Sequence, residues 1–240
     1  VVGSNIANIG MVIGISAFIL PLVVNKSRLR MEIPILIGTA LLLIGISLDG
    51  EISQLEGVFL IGGLVAFTAF TFKLVKKDRT RSISDGTIVT QSHNAMLRSV
   101  GFLAIGITLL YFGASLTVDN AVAVAQYFSV PERIIGITII AIGTSLPELI
   151  TSVVAIRKGH TNIGIGNIIG SNIYNILMII GVSATLGGIT VISEIYVDYF
   201  VMIAFSVALF VVMKTGLITK KMGIGLAVAF SVYLSLTLLL

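Results

Sequence analysis

Long apolar stretches, separated by short charged breaks, recur along the whole chain and constrain its fold more than any other feature. Each is about 17 to 25 residues long, which is enough to cross a hydrocarbon core of roughly 30 Å as an α-helix. With 56% hydrophobic and only 11% charged residues, the chain cannot cover these stretches with a polar surface. The sequence therefore predicts an all-α, polytopic membrane protein.

Charged breaks divide the apolar sequence into eight predicted spans. The semi-polar stretch 118–131 is predicted to extend the fourth span before Pro131 starts a new element. The only long polar segment of the sequence, about 76–97, is predicted to be a cytoplasmic loop or linker that divides the chain. The spans lie near residues 3–24, 33–49, 56–75, 98–117, 134–156, 163–186, 196–213 and 219–240.

The positions of the charged residues predict the topology. All fifteen Lys and Arg residues except Arg133 fall in alternate breaks, which open on one side of a membrane. By the positive-inside rule this side is cytoplasmic, so the net charge of +4 reports orientation in a multi-pass cell (inner) membrane protein and not nucleic-acid binding. Six of the eleven acidic residues gather on the opposite side: Asp49, Glu51, Glu56, Glu132, Glu194 and Asp198.

An internal repeat relates the two ends of the chain. Residues 2–9 (VGSNIANI) match residues 169–176 (IGSNIYNI), and residues 14–17 match residues 181–184 at the same offset of 167. An odd number of predicted crossings separates the two copies, so they run through the membrane in opposite directions. Inverted repeats of this kind are typical of secondary transporters, whose ion sites lie near the midplane where the copies meet.

The offset also predicts how the chain is divided. The second copy begins near residue 98, so the first would begin near 98 − 167 = −69, and two helices of a ten-helix bundle are expected upstream of residue 1. The expected arrangement is a first repeat with three helices over residues 1–75, a cytoplasmic linker over 76–97, and a second repeat with five helices over 98–240.

Glu148 is the only acidic residue deep within a predicted span. A charged side chain at that depth costs at least about 2.5 to 3.5 kcal/mol on insertion scales, so it normally faces a cavity, a cation or a proton path. The alternative is a neutral Glu148 that is hydrogen-bonded to a neighbouring helix.

Residues just before Glu148 would add oxygen atoms beside its carboxylate. Pro147 releases backbone carbonyl groups around Gly143 and Thr144, and such free carbonyls bind cations in transporters. Ser145 shares a helix face with Glu148 because the two are three residues apart. A proline that merely kinks the helix for packing is the alternative.

The next span combines small and polar residues. Gly166 and Gly170 predict a face that a second helix can approach closely. Ser171 and Asn175 place oxygen atoms on one stripe, and Ser4 and Asn8 repeat that pair in the inverted copy. Packing between helices is the alternative role, but two inverted copies would direct these polar stripes towards a shared centre.

Collected together, these side chains offer hard oxygen ligands without nitrogen or sulfur. Such ligands suit calcium or sodium, and calcium prefers six to eight oxygens; they do not suit zinc or copper. The segment Gly143-Thr144-Ser145-Leu146-Pro147 superficially resembles a hydrolase nucleophile elbow, but proline replaces its final glycine and neither His93 nor His160 lies in a predicted span. The sequence therefore predicts no enzyme and no prosthetic group, with the lipid bilayer and calcium and sodium ions as partners.

The segments 143–148 (GTSLPE) and 166–173 (GNIIGSNI) together resemble the second α-repeat of the sodium/calcium exchangers of the cation/calcium antiporter superfamily, especially its prokaryotic YrbG-like members. Residues 3–8 (GSNIAN) resemble the latter half of the first α-repeat. The resemblance implies a ten-helix antiporter that works by alternating access. It also implies a cation site made of the Glu148 carboxylate, side-chain ligands and backbone carbonyl donors: Ser4, Asn8, Ala141, Thr144, Ser145, Glu148, Ser171 and Asn175.

Two departures from the family pattern leave the function open. The GTSLPE segment of the first repeat is not in the sequence, so no second glutamate opposes Glu148 and the 240-residue chain by itself is expected to exchange little or nothing. Asn175 stands where many sodium/calcium exchangers have aspartate. Sodium-driven calcium antiport, proton-driven antiport of calcium or another divalent cation, and a non-transporting membrane protein remain the alternatives.

Overall fold

The computed structural model describes residues 1–84 and 93–239, and most of these residues lie in eight long helices. Each contains a segment long and apolar enough to cross a membrane, so the eight predicted spans and the all-α class are confirmed. The fourth of these helices continues beyond residue 117, as predicted for the fourth span. The helices are α1 (Val2–Ile19), α2 (Lys26–Ile46), α3 (Gln54–Ser84), α4 (His93–Tyr127), α5 (132–157), α6 (Thr161–Gly187), α7 (Ile195–Thr215) and α8 (Lys220–Leu239).

The predicted linker is largely helical. Helix α3 continues through residue 84 and α4 begins at residue 93, so the expectation of a loop over 76–97 is wrong for 76–84 and 93–97. Residues 85–92 lie outside the described part of the chain. Lysine and arginine are good helix formers, which is why a polar composition by itself does not end a helix. The division of the chain at this segment stays a prediction.

Short antiparallel strand pairs, which the sequence did not predict, join the breaks between helices. β1 (Leu22–Val23) pairs with β4 (Leu217–Ile218), and β2 (Glu51–Ile52) pairs with β3 (Ile189–Thr190). The first pair joins the break after α1 to the break after α7, and the second joins the breaks after α2 and α6. The breaks that the charge pattern assigned to one side therefore do lie together.

The pairing of the strands follows the inverted repeat. An offset of 167 carries Leu22 of β1 to Ile189 of β3, and an offset of 166 carries Glu51 of β2 to Leu217 of β4. Exchanging the two copies therefore turns the β1–β4 pair into the β3–β2 pair. The three helices α1–α3 and the three helices α6–α8 are thus related by a pseudo-twofold axis.

Two equivalent helix crossings depend on glycine. At the crossing of α3 and α6, a Cβ atom on Gly57 would lie 2.5 Å from the Thr185 nitrogen and 2.8 Å from the Gly181 oxygen. At the crossing of α8 and α1, a Cβ atom on Gly223 would lie 2.8 Å from the Gly14 oxygen. Only glycine permits backbones to approach this closely, so each copy holds the other by the same contact.

The close approach predicted at Gly166 and Gly170 is not found among the described residues. A Cβ atom on either glycine would meet nothing within 4 Å, and both glycines line a cavity of about 530 Å³ between α2, α3 and α6. The predicted close approach was therefore wrong. On α6 an added Cβ atom would instead be crowded at Gly164 by α5 and at Gly181 by α3, because the approach of the neighbouring helix and not the local spacing decides which glycine is needed.

Candidate functional site

Wide π-helical turns interrupt the three central helices. Asn8–Ile13 forms such a turn in α1 and Asn175–Ile180 forms the equivalent turn in α6, again at the offset of 167. A third, Gly136–Ile140, precedes the GTSLPE segment in α5. A π-helical turn inserts one extra residue per turn, which changes the face to which the following side chains belong, and such turns are frequent at functional sites.

Helices α1 and α5 meet through hydroxyl groups. Ser4 Oγ and Thr144 Oγ1 are hydrogen-bonded at 2.8 Å, and Ser145 Oγ donates to the Ser4 carbonyl at 3.4 Å. Both Ser4 and Ser145 are buried. Three of the predicted ligands, from opposite ends of the sequence, therefore lie in direct contact.

The Ala141 carbonyl, which the family resemblance implied as a cation donor, accepts two hydroxyl groups. Ser145 Oγ donates to it at 2.9 Å, and Thr144 Oγ1 lies at 3.2 Å. Each hydroxyl group has one proton, so it donates either to this carbonyl or to another oxygen nearby. A cation at this carbonyl would require those two hydroxyl groups to rotate, which costs little because each of them has another oxygen within reach.

Glu148 is half-buried between α4, α5 and α6. The Ser171 hydroxyl group interacts with its carboxylate, while the second oxygen, Oε2, is buried and has no hydrogen-bond partner in the described chain. The side chain borders a cavity of about 310 Å³, whose lining residues are Ile107, Leu110, Tyr111, Pro147, Glu148, Thr151 and Asn167. A buried carboxylate oxygen that no donor satisfies favours a cation or a proton as its partner over a closed hydrogen bond to a neighbouring helix.

Helices α1 and α6 are joined by four asparagine side chains. Asn8 Nδ2 donates to Asn172 Oδ1 at 2.8 Å, and Asn175 Nδ2 donates to Asn5 Oδ1 at 2.9 Å. Asn5 Nδ2 donates to the Asn172 carbonyl at 3.2 Å, and Asn172 Nδ2 donates to the Asn5 carbonyl at 3.3 Å. The bonds in each of these two pairs are equivalent: exchanging the two copies at the offset of 167 turns one bond of a pair into the other.

The structure thus brings all eight predicted residues onto three neighbouring helices. Hydroxyl groups join α1 to α5, the Ser171–Glu148 contact joins α5 to α6, and the amides join α6 to α1. In the described residues no group of three or more His, Cys, Asp or Glu side chains comes together. The candidate site therefore combines one carboxylate with neutral hydroxyl and amide oxygens, a set that suits hard cations.

Sequence reasoning missed two members of this network, Asn5 and Asn172. Both are almost completely buried, with exposures of 1% and 0%. The sequence did contain a signal for them, because the offset of 167 relates Asn5 of the first copy to Asn172 of the second. They were passed over because Ser and Asn four residues apart share a helix stripe, and Asn5 and Asn172 lie outside that stripe.

Asp198 was predicted to belong to the acidic group on the side opposite the basic breaks, and the structure adds that its side chain is buried. Its exposure is 1%, in the first turn of α7, and its Oδ1 accepts a hydrogen bond of 2.8 Å from the Tyr233 hydroxyl group on α8. A position near the end of a span did not reveal this burial, because the contact comes from α8, 35 residues later in the chain.

Comparison with known families identifies the class of protein. The family model described as sodium/calcium exchanger protein matches residues 1–73 and 98–239, which is most of the chain. The chain belongs to the sodium/calcium exchanger family. Members of the family are membrane transporters that carry Ca²⁺ and Na⁺ without a prosthetic group, so the hydrolase alternative is excluded.

Individual relatives agree with this assignment. The chain is 36% identical to the inner membrane protein YrbG of Escherichia coli over 77% of this chain and 58% of that protein, and 36% identical to the putative antiporter CaxA of Alkalimonas amylolytica over 86% of this chain and 66% of that protein. The solved sodium/calcium exchanger of Methanococcus jannaschii superposes with a TM-score of 0.76 at 27% identity, over 98% of this chain and 73% of that one. The chain therefore spans about three-fifths to two-thirds of these two curated relatives.

Family membership and the helical exchanger fold, predicted from the GTSLPE and GSNI segments, are confirmed by these matches. The multi-pass membrane character is confirmed as well. The roles of the eight residues as ion ligands, the orientation in the membrane and the coupling ion stay predictions.

Proposed function

We propose that the protein, in its full encoded length, is a secondary antiporter that exchanges sodium for calcium across the cell membrane by alternating access. One observation carries the proposal: Glu148 Oε2 is buried without a hydrogen-bond partner among the described residues, in a carboxylate that also interacts with the Ser171 hydroxyl group of α6. The relatives add support, because one is named a putative antiporter and another, from Methanosarcina acetivorans, a sodium/calcium exchanger.

The proposed cation site surrounds Glu148. The carboxylate supplies the negative charge, and calcium completes a shell of six to eight oxygens from neutral ligands. Sodium competes for the same oxygens, since it is also a hard cation and needs fewer of them. The neutral ligands in this proposal are the hydroxyl and amide oxygens of Ser4, Asn8, Ser145, Ser171 and Asn175, with carbonyl oxygens of Ala141 and Thr144.

The inverted copies supply the two access states. Because α1 and α6 run in opposite directions and carry equivalent oxygens, one site can be reached from either side when the surrounding helices shift. In this proposal the Lys- and Arg-rich breaks face the cytoplasm of a cell (inner) membrane. Residues 1–75 and 98–240 belong to the two repeats, and 76–97 links them.

A proton-driven antiporter is the second candidate. It is favoured by Asn8 and Asn175, because both amides stay neutral and leave Glu148 as the carboxylate of the network described above. A site with one carboxylate changes its charge by one unit on protonation. The choice of coupling ion is therefore a question for transport measurements.

The experiment is calcium uptake into vesicles that contain the full-length protein. An outward sodium gradient is expected to drive uptake, and a pH gradient of equal energy is expected to drive much less; the reverse result identifies the proton-driven antiporter. Glu148→Gln should abolish uptake, because it keeps the shape and removes the charge. Glu51→Gln, an exposed residue of β2, is the matched control. Uptake by Glu148→Gln at the parent rate would refute the proposed site.

A further inference from the structure

Two buried amides, Asn5 and Asn172, have no part in the proposed ligand set. Each lies at the contact between α1 and α6, and each is hydrogen-bonded through both ends of its side chain. A buried amide can satisfy itself against one helix, so four amides linked across two helices call for a specific explanation.

The hydrogen bonds determine which end of each amide faces which neighbour. The backbone carbonyl of Asn5 can only accept, so the group that Asn172 presents to it must be its NH₂. The other end of Asn172 is then the oxygen Oδ1, which can only accept. Asn8 must therefore turn its own NH₂ towards Asn172, as it does at 2.8 Å.

The orientation of Asn8 follows from this sequence of donors and acceptors. With its NH₂ occupied, Asn8 has its oxygen at the other corner of the amide, and this Oδ1 is buried with no hydrogen-bond partner among the described residues. Asn8 itself is 1% exposed, so bulk solvent does not reach that oxygen. An unpartnered buried acceptor favours a visiting cation.

The second half of the set repeats the first. The carbonyl of Asn172 accepts from the NH₂ of Asn5, and Asn5 Oδ1 accepts from the NH₂ of Asn175. The amide oxygen of Asn175 is therefore also directed away from the α1–α6 contact. Each orienting amide acts on the copy opposite to its own.

We propose that Asn5 and Asn172 are positioning residues, which hold the side-chain amides of Asn175 and Asn8 so that the oxygen and not the NH₂ group faces the transported cation. The inference rests on the proposed function, because it assumes that these oxygens bind sodium or calcium. An amide rotated by half a turn would present hydrogens with positive partial charge to the ion. The orienting residues therefore convert a side chain that could repel a cation into a ligand.

The test is a double-mutant cycle on sodium and calcium binding to the full-length protein, measured by titration calorimetry. Asn172→Leu keeps the side-chain volume and removes the amide, and it is expected to weaken binding by about tenfold or more, as loss of an outer-shell partner does. In the Asn8→Ala background the same change should have no further effect, since no amide is left to orient.

The control cycle crosses the two halves of the set. Asn172→Leu combined with Asn175→Ala should multiply the two single effects, because Asn175 is oriented by Asn5. If Asn172→Leu weakens binding as much in the Asn8→Ala background as in the parent, its role is structural and the inference is overturned. The cycle built on Asn5 and Asn175 repeats the test where an Asn172 variant does not fold.

The unmutated protein provides a readout that is independent of folding in variants. In ion-free protein, NMR of labelled asparagine should show the NH₂ protons of Asn8 protected from exchange with solvent, and sodium should shift its carbonyl carbon. Free exchange of these protons would overturn the inference. If the parent binds neither sodium nor calcium, the proposed function itself fails. If the parent binds both ions and Asn172→Leu weakens binding equally in the Asn8→Ala and Asn175→Ala backgrounds, only the positioning role fails.

Discussion

The two inverted copies share their scaffold, but one pair of equivalent serines has different surroundings in the two copies. Both copies have a π-helical turn that begins at asparagine, a two-residue strand on each side and a glycine crossing. Ser4 in the first copy is buried and bonded to Thr144 of α5. Its equivalent Ser171 is half-buried and faces Glu148.

The difference shows that the repeat determines the backbone arrangement of the helices. The contacts with α5 determine which partner each of the two equivalent serines has. Helix α5 reaches α1 through Thr144 and Ser145 and reaches α6 through Glu148. The hydrogen bond between Ser4 and Thr144 has no equivalent at Ser171 in the described chain. The nearby Gly166 and Gly170 of α6 border a cavity instead. Equivalent positions in a repeat therefore need not have equivalent roles.

The largest expected effect tests the shared part of the comparison. Gly57→Ala and Gly223→Ala should each destabilise the protein by about 3 kcal/mol or more, because the added Cβ meets backbone atoms that cannot move aside. Thermal unfolding in detergent measures both. Gly62→Ala and Gly225→Ala, on the same two helices, are the controls, since a Cβ atom there meets nothing within 4 Å. Unequal effects of the two crossing variants would show that the copies do not share this contact.

The next prediction concerns a buried carboxylate in the second copy. At the offset of 167, Met31 of α2 stands where Asp198 stands in α7. Tyr233→Phe removes the hydroxyl donor to Asp198 and should cost about 1.5 to 3 kcal/mol, as for a hydrogen bond to a charged group. Tyr196→Phe removes a hydrogen bond to the neutral Ser47 carbonyl and should cost about 1 kcal/mol. Equal losses of unfolding temperature would indicate that Asp198 is neutral in the folded protein.

The serines themselves provide the sharpest test of the difference between the copies. Ser4→Ala should lower stability by about 1 kcal/mol, because it breaks the buried bond to Thr144. Ser171→Ala should change stability by less than half as much and should weaken calcium binding more than Ser4→Ala does, because Ser171 contacts the carboxylate. Unfolding temperature and calcium titration, measured on the same samples, distinguish the two. The reverse ranking in both measurements would contradict the assignment of roles.

The smallest effect is expected on the open face of α6. Gly166→Ala adds a methyl group that meets nothing within 4 Å, so the gain in helix propensity, up to about 1 kcal/mol, should leave stability unchanged or slightly raised. Gly164→Ala is the matched control two residues away, where a Cβ atom would lie 2.8 Å from Ile156 and 3.0 Å from the Ser152 carbonyl oxygen. A marked loss of stability in Gly166→Ala would indicate that a helix covers this face in the full-length protein.

Much of the fold was predictable because it depends on local properties of the sequence. The length of an apolar stretch decides whether a helix spans the membrane, and two matching segments in opposite orientation imply a pseudo-twofold axis. Glu148 was predicted as a site residue because one acid among apolar residues is conspicuous. Ser4, Asn8, Ser171 and Asn175 were predicted because the same pair occurs in both copies.

The sequence by itself thus determined the eight spans, the internal repeat and the family, and it predicted a set of candidate oxygen ligands. The tertiary structure decided which of these groups touch: that Asn5 and Asn172 orient their neighbours, that Asp198 is buried by Tyr233, and that Gly181 and not Gly166 receives a helix. The physical reason is that hydrophobicity sets the length of each helix, whereas the angle and position of each crossing depend on side chains far apart in the chain.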